Sequence, residues 1–120
     1  MADELKKRTK AFALEIIRLV EKLPKTRTAS IMGTQLLRCG TSVGANYRAS
    51  CRARSRADFI AKMGIVEEEA DEAIYWLELF VESGVLRKGD ADQLLNEANQ
   101  IVAMVVASIN TARQSASNSR

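Results

Sequence analysis

Apolar residues recur every three or four positions along nearly the whole chain, and four segments carry that helical period. The first runs from about Asp3 to Lys22. It places Leu5, Phe12, Ile16, Leu19 and Leu23 on one face, and Pro24 ends it. The second runs from about Thr28 to Ala53. Its seam is Ala29, Met32, Leu36, Cys39, Val43, Asn46 and Ser50, in alternating steps of three and four. The third starts at Ser55, a good N-cap residue with Asp58 three positions on. Its seam is Phe59, Met63, Val66, Ala70, Ala73, Leu77 and Phe80, and Gly84 suits the position just past a helix end. The fourth starts near Asp90 and runs through Leu94, Ala98, Ile101, Val105 and Ala112.

No segment alternates with period two over a useful length. The three connections are short, so sequential helices are expected side by side and antiparallel. The pattern predicts an all-α, up-down-up-down four-helix bundle over residues 1–113. The small polar stretch from Gln114 to Arg120 is predicted to be a flexible tail. There is no internal repeat and no linker, so one domain suffices for 120 residues.

Composition narrows the chemistry. The chain has no histidine, which removes Ser-His-Asp triads, Cys-His pairs, His-ligated zinc and the Glu-x-x-His di-iron bundle. One proline and 5% aromatic residues speak against a turn-rich β-sandwich. Glu15, Arg18 and Glu21 interrupt the first apolar stretch, so no secretory leader is expected. The longest apolar run, Ile101 to Ala107, falls far short of the roughly 20 residues of a spanning helix. Cys39 and Cys51 are predicted to lie on one helix about 18 Å apart, too far for a disulfide. Reduced thiols and a cytoplasmic location are the expectation, with no membrane contact.

The net charge of +3 hides a strong segregation. From Lys22 to Arg56 there are eight basic residues and no acid: Lys22, Lys25, Arg27, Arg38, Arg48, Arg52, Arg54 and Arg56. From Glu67 to Glu82 there are seven acids and no base: Glu67, Glu68, Glu69, Asp71, Glu72, Glu78 and Glu82. Like-charged pairs such as Glu67 with Asp71 destabilise an isolated helix by a few tenths of a kcal/mol each. A cationic neighbour would relieve them, within the protomer or across a subunit boundary. Arg48, Arg52 and Arg56 repeat every four residues, as a phosphate-binding stripe would. Together with Lys25, Arg27 and Arg54 they are the candidate nucleic-acid contacts. Tyr47 is the lone aromatic nearby, so stacking on bases is thinly supported.

Four other features stand out. Gly33, Gly40, Gly44 and Cys51 form a small-residue strip, each glycine costing roughly 1 kcal/mol against alanine in a helix interior. Such a strip implies close approach of another backbone, inside the bundle or between subunits. Asn46 in an apolar seam is the kind of residue that fixes register or oligomer state. The run EEEADE at 67–72 could in principle support acid–base or metal chemistry, but no inward acids on the other segments complement it. Trp76 reads as a core or interface anchor. The candidate oligomer contacts are therefore Gly33, Gly40, Gly44, Glu67, Asp71, Trp76 and Glu78, and no catalytic, metal or cofactor residue is assigned.

Several stretches also resemble a known family. They are Gln35 to Arg38, Thr41 to Ala49, Arg54 to Phe59, Glu68 to Glu72 and Tyr75 to Glu78. Together they resemble the bacterial four-helix-bundle family named for the 23S rRNA intervening sequence, over roughly Phe12 to Ala112. The resemblance implies a homopentameric ring of mostly unassigned role. The accessory protein of diversity-generating retroelements is similar in fold, and it forms a basic pentameric barrel that binds nucleic acid. The resulting expectation is a non-enzymatic homo-oligomer, with RNA or DNA as partner through its basic face and no small-molecule substrate. The alternative is a structural or protein-interaction oligomer whose arginines are paired with the acidic third helix.

Overall fold

A computed structural model describes residues 2–118. Four helices make up the chain: α1 (Ala2–Glu21), α2 (Arg27–Ser50), α3 (Arg56–Glu82) and α4 (Lys88–Asn118). They form a four-helix bundle about 55 Å long and 21 Å across. No strand occurs among the described residues.

Local chemistry sets the helix ends. α1 closes with tightened turns, Lys22 N–H to Leu19 and Leu23 N–H to Val20, before Pro24 stops it. Thr26 caps α2, its hydroxyl accepting from Ala29 N–H at 3.2 Å. Ser55 caps α3 by accepting from Asp58 N–H at 3.0 Å. Asp58 in turn accepts from Arg54 N–H at 3.3 Å and from Lys62 Nζ at 2.8 Å. These bonds, the Lys62 one foremost, hold its carboxyl below the ordinary aspartate value. At the other end of α3, Gly84 takes φ +82°, a left-handed turn that costs glycine little. The Leu86 N–H then reaches back to the Phe80 carbonyl at 2.9 Å.

Two boundaries differ from the sequence reading. α2 ends at Ser50, so Cys51 to Ala53 form the turn toward α3. α4 runs through the segment expected to be a tail, as far as Asn118. The last part of that expected tail, 119–120, lies outside the described residues.

The core is built from the predicted seams with one shift. Leu5, Phe12 and Ile16 from α1 meet Met63, Val66, Ala70, Ala73, Leu77 and Phe80 from α3, with Leu94, Ala98, Ile101 and Val105 from α4. Each large side chain of this set is worth about 1.5–3 kcal/mol of transfer free energy on full burial. On α2 the inward positions are Ala29, Gly33, Leu36, Cys39, Gly40, Val43, Tyr47 and Ser50. Tyr47 takes the place given to Asn46 in the sequence reading, and Met32 is only half-buried. Asn46 instead donates from Nδ2 to the Ser42 carbonyl of its own helix at 2.8 Å. Buried hydroxyls bond locally: Thr9 to the Leu5 carbonyl at 2.8 Å and Ser50 to the Tyr47 carbonyl at 2.7 Å. Among the described residues no buried side-chain nitrogen or oxygen lacks a partner.

α1 packs against α2 and α4, and α3 packs against the same two helices. The glycine strip sets the α1–α2 seam. A Cβ on Gly33 would meet Leu23 at 2.9 Å, one on Gly40 would meet Ile16 at 2.9 Å, and one on Gly44 would meet the Thr9 backbone at 3.4 Å. The close approach inferred from the strip therefore exists inside the chain. Gly33, Gly40 and Gly44 were candidates for a subunit contact; here α1 fills that surface, because only a missing side chain lets the two helices come this near.

Candidate functional site

Among the described residues the acidic and basic runs meet on the surface at Arg38. Arg38 of α2 reaches across to α3, where Glu69 accepts at 3.3 Å and Glu72 accepts from the second guanidinium nitrogen. The Glu72 hydrogen bond foremost raises the Arg38 pKa above the usual guanidinium value. Trp76 donates from Nε1 to the same Glu72 carboxylate at 3.3 Å. Its ring is half-buried and packed against the core, with Tyr75 set edge-on at 5.5 Å. Trp76 therefore spends most of its surface inside the protomer, and Tyr75, 55% exposed, is the outward aromatic. The outer stripe of α3 is Ile65, Glu68, Asp71, Tyr75, Glu78 and Glu82, all exposed. Glu67 is half-buried and borders a shallow groove with Gly64 and Val102.

Only Arg38 among the eight bases of the Lys22–Arg56 run forms an ion pair with α3 among the described residues. Arg48, Arg52, Arg54 and Arg56 are all exposed, and none of them forms an ion pair among those residues. The expected pairing of these arginines with Glu67–Glu82 therefore does not occur within the protomer. The reason is placement: Arg38 lies mid-helix opposite Glu69 and Glu72, whereas Arg52 and Arg54 sit in the turn.

The six candidate cations also do not form one patch. Lys25 and Arg27 stand at the start of α2, about 32 Å along the helix from Arg48 at 1.5 Å per residue. Lys25 borders a groove that also contains the carboxylate of Glu21. Arg48 and Arg52 lie at the opposite end, beside the start of α1.

There the structure assembles a site that the sequence reading did not name. Lys6, Lys7 and Lys10 of α1 face Arg48 of α2 and Arg52 of the following turn across an open groove of about 540 Å³. All five cations are exposed, and among the described residues no carboxylate lines the groove. Its floor is made of small residues: Ala13, Thr41, Gly44 and Ala45. Arg8, in the middle of the lysine run, turns the other way. It forms a two-pronged pair with Glu97 of α4, at 3.0 and 2.6 Å. That hydrogen bonding raises its pKa, and it leaves the groove to the unpaired lysines. The signal in the sequence was the Lys6, Lys7, Lys10 cluster itself, which becomes relevant only once α1 is set beside the end of α2.

Tyr47 lies just under this end of the molecule. Burial foremost, then a hydrogen bond with Cys51, pushes its phenol up to about 12. The Cys39 thiol is also pushed up to about 12 by burial. Both cysteines are free, Cys39 buried and Cys51 exposed. Among the described residues no group of three or more His, Cys, Asp or Glu side chains is placed to hold a metal ion. Among them, too, no helix is long and apolar enough to cross a membrane.

Comparison with known proteins agrees with this architecture. The chain is similar to a crystal structure from Bacteroides thetaiotaomicron, described as a protein of unknown function from the S23 ribosomal protein family. The two are 35% identical, the match covers 88% of this chain and 97% of that one, and the TM-score is 0.83. No curated protein matches the chain. The family model described as 23S rRNA-intervening sequence protein matches residues 3–107. With nearly the whole bundle matched, the chain belongs to the 23S rRNA-intervening sequence protein family.

Proposed function

We propose that the protein is a non-enzymatic adaptor that contacts nucleic acid through the basic end of its bundle. The carrying observation is the groove in which Lys6, Lys7, Lys10, Arg48 and Arg52 converge, with no carboxylate among the described residues that line it. Arg54 and Arg56, exposed in the adjoining turn and first helical position, extend the same field. Cations left unpaired at one end of a protein raise the local concentration of polyanions and neutralise phosphates on contact. Such contacts position a nucleic acid without reading its sequence.

In this reading the helices run up-down-up-down. The pairs Gly33 with Leu23, Gly40 with Ile16 and Gly44 with Thr9 support it for α1 and α2, since numbers rise on one helix as they fall on the other. The free thiols suit a reducing compartment such as the cytoplasm. A mobility-shift titration tests the function. Binding should be strong at low salt, indifferent to sequence, and weakened steeply as salt rises. Absence of binding at low salt overturns the proposal.

A second reading, an assembly of copies, is favoured by the outer stripe of α3. Ile65 is 44% exposed and Tyr75 55%, and they stand among Glu68, Asp71, Glu78 and Glu82. An acidic stripe on one face and cations on another suit a head-to-tail contact, the type that closes rings. A homopentamer is the ring that the family resemblance implies. Its test is the mass in solution for the wild type and for Tyr75→Glu: a ring that drops to monomers supports the assembly, and a monomeric wild type rejects it.

A further inference from the structure

We infer that the α1–α2 groove seats a single unpaired strand of nucleic acid, with its sugar-phosphate chain inward; the inference rests on the nucleic-acid reading above. Three observations carry it beyond a general affinity for polyanions.

The first is the closeness of the two walls. α1 and α2 meet along their glycine seam, and packed helices stand about 8–10 Å apart axis to axis. Cations carried on both sides of one such seam can flank a single chain from two sides, whereas a duplex meets them from outside. The second is the floor. Thr41, Gly44 and Ala45 carry nothing bulkier than a threonine side chain, so the space between the cationic walls is open. An added Cβ on Gly44 would lie 3.3 Å from Thr9 Oγ1 and 3.4 Å from the Thr9 main chain, so α1 closes the groove from below. The third is the spacing of the walls. Lys6 and Lys10 on one side are four residues apart on α1, about 6 Å along the helix, and opposite them stand Arg48 near the end of α2 and Arg52 in the turn that follows. Successive phosphates of one extended strand can therefore meet successive cations.

Among the described residues no aromatic side chain lines the groove, so bases have no stacking platform there. They stay outside, and the strand is held by its backbone alone. Binding is then indifferent to base identity. If all five cations engage, the salt dependence approaches a log–log slope of about −3.5, from roughly 0.7 per phosphate on a single strand.

The test uses the full chain and fluorescence anisotropy at low salt. The probes are a twelve-nucleotide oligothymidylate, an oligoadenylate of equal length, and a twelve-base-pair duplex. Ala45→Leu fills the floor without changing charge, at an exposed helical position that leaves the core intact. Lys10→Glu breaks one wall. The expected result has three parts: the unpaired strands bind alike, they bind at least tenfold tighter than the duplex, and each variant weakens strand binding at least tenfold. Ala45→Leu should leave the weak duplex binding unchanged. Duplex binding equal to strand binding, or strand binding untouched by Ala45→Leu, overturns the single-strand inference while the nucleic-acid reading stands. Failure of all three probes to bind overturns both.

Discussion

An added Cβ on Gly40 would lie 2.9 Å from Cγ1 and 3.0 Å from Cγ2 of Ile16, so the α1–α2 seam is closed to any larger residue. Ile16 is branched at Cβ and has little rotamer freedom to yield. Gly40→Ala should therefore destabilise the fold by about 1–3 kcal/mol through overpacking, offset in part by up to about 1 kcal/mol of helix propensity. Urea denaturation should show a lower midpoint with an unchanged slope. A raised midpoint would show that the seam is looser than described.

Gly64 provides the contrast. Among the described residues nothing lies within 4 Å of the position its Cβ would occupy, and it sits inside α3. Gly64→Ala should stabilise by about 0.5–1 kcal/mol, from helix propensity and a less flexible unfolded chain. The same urea series checks it.

Arg8 and Glu97 fasten α1 to α4. The two-pronged contact is partly shielded, with the side chains 25% and 30% exposed. A double-mutant cycle with Arg8→Met and Glu97→Gln should give a coupling of about 1 kcal/mol, at the upper end for surface pairs because of the forked geometry. The exposed Arg18–Glu15 pair on α1 should give a smaller coupling in the same assay. Equal couplings would contradict the role assigned to Arg8.

Asp58 makes the start of α3 sensitive to acid. Its carboxyl is held below the ordinary value by Lys62 first and Arg54 second. A group whose folded pKa is depressed stabilises the fold above its unfolded pKa, about 3.9 for aspartate. That contribution fades as pH falls from there through the lowered folded value. Asp58→Asn should therefore flatten the stability profile in that acid window and leave the shape at neutral pH unchanged. Thermal melts across the acid range measure it.

The two thiols should separate by reactivity. Cys51 is exposed and Cys39 is buried with its pKa pushed up to about 12. A thiol reagent at neutral pH should modify one cysteine per native chain, and two after unfolding. Loss of the fast phase in Cys51→Ser would assign it. Rapid modification of both in the native protein would contradict the packing of α2.

The helical seams were legible because they rest on large apolar residues at fixed spacing. On α3 every seam residue from Met63 to Phe80 is buried as read, and the Ser55 cap and the Gly84 turn follow from their own side chains. On α2 the reading slipped by one position, from Asn46 to Tyr47. Glycines there do part of the work of a core without carrying hydrophobic surface, so the apolar period is diluted. The site was only half legible. Arg48 and Arg52 announce themselves as a basic repeat, but Lys6, Lys7 and Lys10 lie some forty residues away in sequence and join them only through tertiary packing. Conversely, Lys25 and Arg27 share a charge run with Arg48 yet stand at the far end of the same helix. Charge runs report sign, and the fold decides which members meet.

The salt dependence of oligonucleotide binding decides whether phosphates sit at the α1–α2 groove. Plots of log affinity against log salt should be compared for the wild type, Arg48→Gln/Arg52→Gln and Lys25→Gln/Arg27→Gln. The first pair should reduce the slope by about 1.4 on a single strand, two contacts at roughly 0.7 each, and the second pair should leave it unchanged. An unchanged slope for Arg48→Gln/Arg52→Gln, or an equal loss from both pairs, would contradict a phosphate site at the α1–α2 groove.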